Sequence, residues 1–91
     1  MYHLQDEDVI ERLIRNRQTS MIKLQRGSSS GLQQNEELYF YYQNVRHTCR
    51  VTNVRRYGNY EQIPENLKEY VDSPENINLY GGISVNLMMI N

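Results

Sequence analysis

Apolar and polar positions alternate most regularly over residues 37–56, ELYFYYQNVRHTCRVTNVRR, and the stretch predicts a β-hairpin. Leu38 to Tyr42 is a dense aromatic strand, Gln43-Asn44 is the two-residue turn, and Val45 to Val54 is the returning strand. Aromatic and β-branched side chains suit a pleated, half-buried surface, which is why this composition reads as strand. In the returning strand Arg46, Thr48, Arg50 and Thr52 share one face, and Val45, His47, Cys49 and Val51 the other. The run Arg55 to Asn59 is expected to break the pattern.

The remaining periodicity fills in the elements on either side. Val9, Ile10, Leu13 and Ile14 fall at helical spacing and predict a helix over Asp6–Arg17 ended by Asn16, with acidic residues at its start and Arg15 and Arg17 at its end, as the helix dipole favours. Thr19 to Gln25 alternates as a strand, and Gly27 to Gly31, GSSSG, reads as a flexible polar loop. A second helix is expected after Pro64, with Ile63, Leu67, Tyr70 and Val71 as its apolar face and Asp72-Ser73-Pro74 as its stop. Ile77 to Tyr80 and Ile83 to Ile90 are apolar segments around Gly81-Gly82, read as a tight hairpin or one bulged strand. The order gives an α+β fold, a small barrel or curled sheet of five or six strands with two helices. Its expected core is Leu13, Ile14, Leu38, Phe40, Val51, Val54 and Leu67.

Composition changes this picture little until charge is mapped along the chain. The 91 residues allow one domain, and the formal net charge of -1 does not announce a nucleic-acid binder. Residues 11–26, however, carry five basic side chains against one acidic, and residues 46–56 carry four arginines and no acid. Eight of the ten basic residues are arginine, whose planar fork suits phosphate and base contact. A single cysteine excludes an internal disulfide framework and, with no apolar run long enough to span a bilayer, points to a cytoplasmic protein.

Arg46, Arg50, Arg55 and Arg56, with Tyr39, Tyr41 and Tyr57 as stacking surfaces, form the candidate binding set. The competing reading is a solvated sheet face whose arginines are neutralised by Glu36, Glu37 and the acidic second helix. His47 and Cys49 share a face, but tetrahedral zinc needs four ligands or three plus water, and His3 is the one other histidine. No metal and no other cofactor is expected. A thiol–imidazole nucleophile is also not expected, because the pair lacks an orienting acid.

The order and spacing resemble the ASCH family of the PUA-like superfamily, small β-barrels that act on or bind RNA. The resemblance rests on the helix VIERLIRN running into RQTSMIKL, the loop RGSSSG, the strand LQQNEELYFYY and the stretch CRVTNVRRYGNYEQIPENL, over residues 9–70. It implies a PUA-like curled sheet or barrel in which Thr19, Lys23 and Arg26 line the mouth of the pocket beside the loop. The departures concern the chemistry. Asn16 stands for the family's turn glycine, Gln18 for its lysine, Met21 for an acidic residue, and Asn35-Glu36 for a glycine-aspartate pair, while Thr19 is kept. Members that deacylate modified cytidine use that lysine, so the resemblance implies that this activity is lost.

The expectation is therefore a stand-alone binding module, not an enzyme, that recognises RNA or a nucleotide through a basic, tyrosine-rich cleft. The alternative is a protein-binding inhibitor or adaptor, of the kind a phage uses to block a host enzyme. No membrane partner is expected.

Overall fold

The computed structural model describes residues 1–90. A short strand, β1 (Tyr2–His3), leads into α1 (Glu7–Asn16), where Asp6 accepts hydrogen bonds from the amides of Asp8 (3.1 Å) and Val9 (3.2 Å) as the N-cap. The helix ends at Arg17, which adopts a left-handed conformation (φ 65°) and donates its N–H to Leu13; Asn16 is still helical. Strand β2 (Gln18–Leu24) follows, and the Gly27–Gly31 stretch then tightens into a 3₁₀ turn (Ser28–Gly31). Strands β3 (Glu37–Tyr42) and β4 (Val45–Tyr57) form the expected hairpin. Gln43 and Asn44 both take positive φ (51° and 65°), the paired left-handed geometry that matches strand twist.

Beyond Val54 the structure departs from the expected pattern. Arg55, Arg56 and Tyr57 continue β4 instead of breaking it, because β5 (Gly82–Met89) pairs with them up to Tyr57↔Gly82. The second helix is a single turn, α2 (Glu65–Lys68), although Ile63, Leu67, Tyr70 and Val71 still pack together. Ser73-Pro74 starts a third helix, α3 (Pro74–Tyr80), and so corrects both the two-helix expectation and the strand expected over Ile77–Tyr80. The Ser73 hydroxyl accepts from the Asn76 amide and proline occupies the first turn, a start signal that outweighs the short apolar run.

The five strands lie in the order β1-β3-β4-β5-β2, with β1 parallel to β3 and every other pair antiparallel. This is an open sheet and not a closed barrel, but it curls. Leu4 donates to the Tyr39 carbonyl of β3 (2.8 Å), and two residues later Asp6 meets Lys23 of β2 (2.8 Å). Two residues span at most about 7 Å, so the opposite ends of the strand order must approach each other. The curl encloses the main core: Val9, Ile10 and Leu13 of α1 against Leu38, Phe40, Cys49, Val51, Ile83, Val85 and Leu87. Of the expected core, Leu13, Leu38, Phe40 and Val51 are fully buried, Ile14 and Val54 pack at its margin, and Leu67 belongs to a second cluster around Ile22, Tyr57, Ile63 and Ile77.

The second cluster covers only part of the sheet's outer face. A β-bulge between Val51 and Asn53 shifts the facing of β4, so that Cys49 and Val51 point inward before it while Val54 does so after it. Past the bulge Tyr57 turns outward under α2 and α3, and before it the outer face meets no helix.

Among the described residues, Asp6 is the carboxylate whose pKa is lowered. Burial alone would raise it, but the hydrogen bond and charge of Lys23 and the Val9 and Asp8 amides prevail, and the net shift is below its usual 3.8. A lowered folded pKa means the ionised group stabilises the fold above the ordinary carboxylate range and that this contribution is lost as pH falls through the folded value. Asp6→Ala is expected to cost about 0.5–2 kcal/mol near neutral pH. In denaturant titrations the gap from the parent protein should close on going from about pH 7 to about pH 2.5; a gap independent of pH would exclude a charged cap.

Candidate nucleic-acid interface on the outer sheet face

Strand register decides which side chains meet on the uncovered half of the outer face. His3 pairs with Tyr39, Tyr39 with Thr48, Tyr41 with Arg46, and Glu37 with Arg50, which in turn faces Met88. Cross-strand partners share a face, so these residues form one continuous surface. Tyr39 is its centre. The His3 imidazole stacks on it at 4.6 Å and 5°, and the Arg46 guanidinium lies 4.3 Å from its ring centroid. Tyr41 stands edge-on to both rings, at 6.0 Å from His3 and 6.1 Å from Tyr39. Each contact is worth about 0.5–1.5 kcal/mol, enough to hold the rings in fixed orientation without burying them.

The electrostatics of the two arginines differ. Arg50 donates to a Glu37 carboxylate oxygen at 3.1 Å with both side chains more than 40% exposed, a pairing that contributes little to stability and exchanges readily for another anion. Arg46 makes no ion pair among the described residues; its second contact is the Met1 sulfur at 3.6 Å. Tyr41 (53% exposed), Met88 (47%) and Ile90 (40%) give the same surface an apolar component. Phosphate contact on the arginines, base stacking on Tyr41 and the far face of His3, and apolar packing are all chemically available here, while both faces of the Tyr39 ring are taken by His3 and Arg46.

The other expected site residues lie elsewhere. Thr19 faces α1, where its hydroxyl accepts from Arg12 Nε (2.9 Å), and Lys23 is held by Asp6. Both sit on β2 and share the inner face with their partners Leu87 and Ile83, so they do not join Arg46 and Arg50 on the outer face. Arg26 stacks over Tyr80 at 4.4 Å, and Arg56 donates to the Ser30 and Leu32 carbonyls (3.1 and 3.4 Å) on the inner side of the bulge. Arg55 is exposed on the outer face beside Ser84. Tyr57 is buried and shares a 3.1 Å hydrogen bond with the Ser84 hydroxyl, so it is a core residue with no free ring face. His3 is the member sequence reasoning missed, since a two-residue strand has no alternation to read.

Cys49 is wholly buried, and desolvation pushes its thiol up to about 11, while His47 stacks on Phe40 at 5.3 Å. A thiol so placed stays protonated near neutral pH. Among the described residues no group of three or more His, Cys, Asp or Glu is placed to hold a metal ion, and no helix is long and apolar enough to cross a membrane.

No family model matches the chain, and no curated protein matches it. Among solved structures, a crystal structure of hypothetical protein PH0355 is similar over 98% of this chain and 96% of that one, with a TM-score of 0.63 and 17% sequence identity. The likeness is one of fold: the whole arrangement of helices and curled sheet recurs in a protein of little sequence similarity.

Proposed function

We propose that this protein is a small binding module that takes single-stranded RNA or a nucleotide on its outer sheet face. The supporting observation is the exposed His3–Tyr39–Tyr41–Arg46 cluster on the half of the sheet that no helix covers. Sheet platforms with solvent-facing aromatics accept bases by stacking, and neighbouring guanidiniums accept phosphates. The platform replaces the cleft that the ASCH resemblance implies, while that resemblance is consistent with an RNA ligand. Gln18, exposed at the start of β2, supports a binding role over modified-cytidine deacylation because it stands where those enzymes carry lysine.

The test is a polarisation titration with a short fluorescent RNA at about 50 and 200 mM salt. Affinity should fall with salt, and the double change Arg46→Ala, Arg50→Ala should weaken binding and flatten the slope by about 0.7 per lost phosphate contact. Thermal stability should fall by only about 0.5–1.5 kcal/mol, the worth of the Arg46–Tyr39 contact, because the Arg50–Glu37 pair is exposed and contributes little. A second reading, a protein-binding inhibitor, is favoured by Met88 and Ile90 on the same surface, since Tyr, Met and Arg are enriched at protein interfaces. No RNA binding at low salt, with a protein partner co-purifying in stoichiometric amount, would decide for it.

A further inference from the structure

At the other end of β4, some ten residues or about 30 Å of strand from Arg46, a second surface carries unused chemistry. Helix α3 buries Ile77 but turns Leu79 (70% exposed) and Tyr80 (42%) to solvent side by side. Both border an open hollow of about 330 Å³ whose other walls are Gln25, Arg56, Tyr57, Gly58 and Gly81. No carboxylate lines it.

The walls are fixed by short hydrogen bonds. Gly81 donates to Ile77 (2.7 Å), Gln25 donates to Gly81 (2.9 Å), and Gly58 donates to the Gln62 side chain (2.7 Å). Arg26 lies over the Tyr80 ring at 4.4 Å and sets its plane. Arg56 spends one terminal nitrogen on the Ser30 and Leu32 carbonyls, which anchors the side chain and leaves its other N–H groups free to face an anion. An aromatic wall backed by Arg26, with the Arg56 guanidinium beside it and no carboxylate, matches a ligand that is flat at one end and anionic at the other.

We propose that this hollow is a separate site for a mononucleotide, with the base against Leu79 and the face of Tyr80 that Arg26 leaves open, and the phosphate on Arg56. The volume lies at the lower end of the range for small-molecule pockets, room for one nucleotide unit and not a strand. Guanidinium forks hold phosphate by parallel charge-assisted hydrogen bonds, and the Arg26–Tyr80 stack gives the base a preset surface. The site shares no residue with the outer-face cluster and stands or falls independently of it.

Adenosine 5′-monophosphate is the probe, followed through backbone amide shifts of the full chain, with adenosine and inorganic phosphate as separate arms. Saturable shifts are expected at residues 56–58 and 79–81, with the mononucleotide binding more tightly than either half. Tyr80→Ala should weaken it about tenfold, the effect of one lost base stack, while leaving RNA binding on the outer face unchanged. Arg26→Gln, which alters no backbone contact, serves as the second variant if Tyr80→Ala does not fold. The proposal is overturned if millimolar nucleotide moves none of these amides, if both variants bind like the parent, or if phosphate alone binds as tightly as the nucleotide.

Discussion

Phe40→Ala is expected to lower stability by about 3–5 kcal/mol, the cost of deleting a large ring from a packed core. Phe40 is completely buried in the main cluster, stacked on His47, at the centre of the curl formed by β3 and β4. A domain of this size holds only about 5–15 kcal/mol in total, so the variant should sit close to the unfolding threshold. At roughly 4 °C or more per kcal/mol, the melting temperature should drop by at least about 12 °C. Tyr41→Ala supplies the control, since Tyr41 is the next residue along and half exposed on the opposite face. It should cost about 1–2 kcal/mol and, if the proposed function holds, reduce RNA binding, because it removes two edge-on ring contacts and not core volume. Similar losses for the two would contradict the alternation on which the proposed binding face depends.

Gly81→Ala is expected to be the most damaging of the conservative glycine changes. Gly81 closes α3 at φ 83° and ψ 168°, a region essentially reserved for glycine, and an added Cβ would lie 3.0 Å from the Tyr57 carbonyl oxygen. The backbone conformation alone costs about 1–3 kcal/mol for an alanine, and the contact with a strand carbonyl adds to it. Two other glycines separate the terms. Gly27 has positive φ (75°) but open space around its Cβ position, and Gly31 has neither constraint. Thermal melts should therefore rank the alanine variants Gly31, Gly27, Gly81 in increasing loss; a Gly81 variant no worse than Gly27 would show that the Tyr57 contact relaxes freely.

The parts of the fold legible in the sequence were those whose pattern is long relative to its period. The four-residue apolar stripe behind Asp6 predicts α1, and the alternation on both sides of Gln43-Asn44 predicts the hairpin and the facing of Arg46 and Arg50. Residues 60–80 were harder because they fold in pieces of three to seven residues, too short for a period to show, and the first and last of them are set by the caps Asn59 and Ser73. There the Ser73-Pro74 start signal competes with the strand-like run Ile77–Tyr80, and the cap prevails. The candidate site was readable within one hairpin and not between segments. Nothing local reveals that Lys23 pairs with Ile83 of β5 and so faces inward, which is what separates it from the arginines of the outer face. Nor does any glycine mark the bulge near Thr52, so Tyr57 reads as a surface aromatic until its pairing with Gly82 is known.

That bulge works as a phase shift between two halves of one strand. Upstream of it even-numbered residues of β4 look outward and downstream odd-numbered ones do, so the aromatic platform and the helix-covered end obey opposite parity. Substitution can therefore remodel the aromatic end without disturbing the helical end, and removing Thr52 would set Val51 beside Asn53 against Leu87 and Asn86, a regular ladder in which both ends keep their facing. A one-residue deletion at this position is therefore the length change that β4 accepts with both of its facings kept.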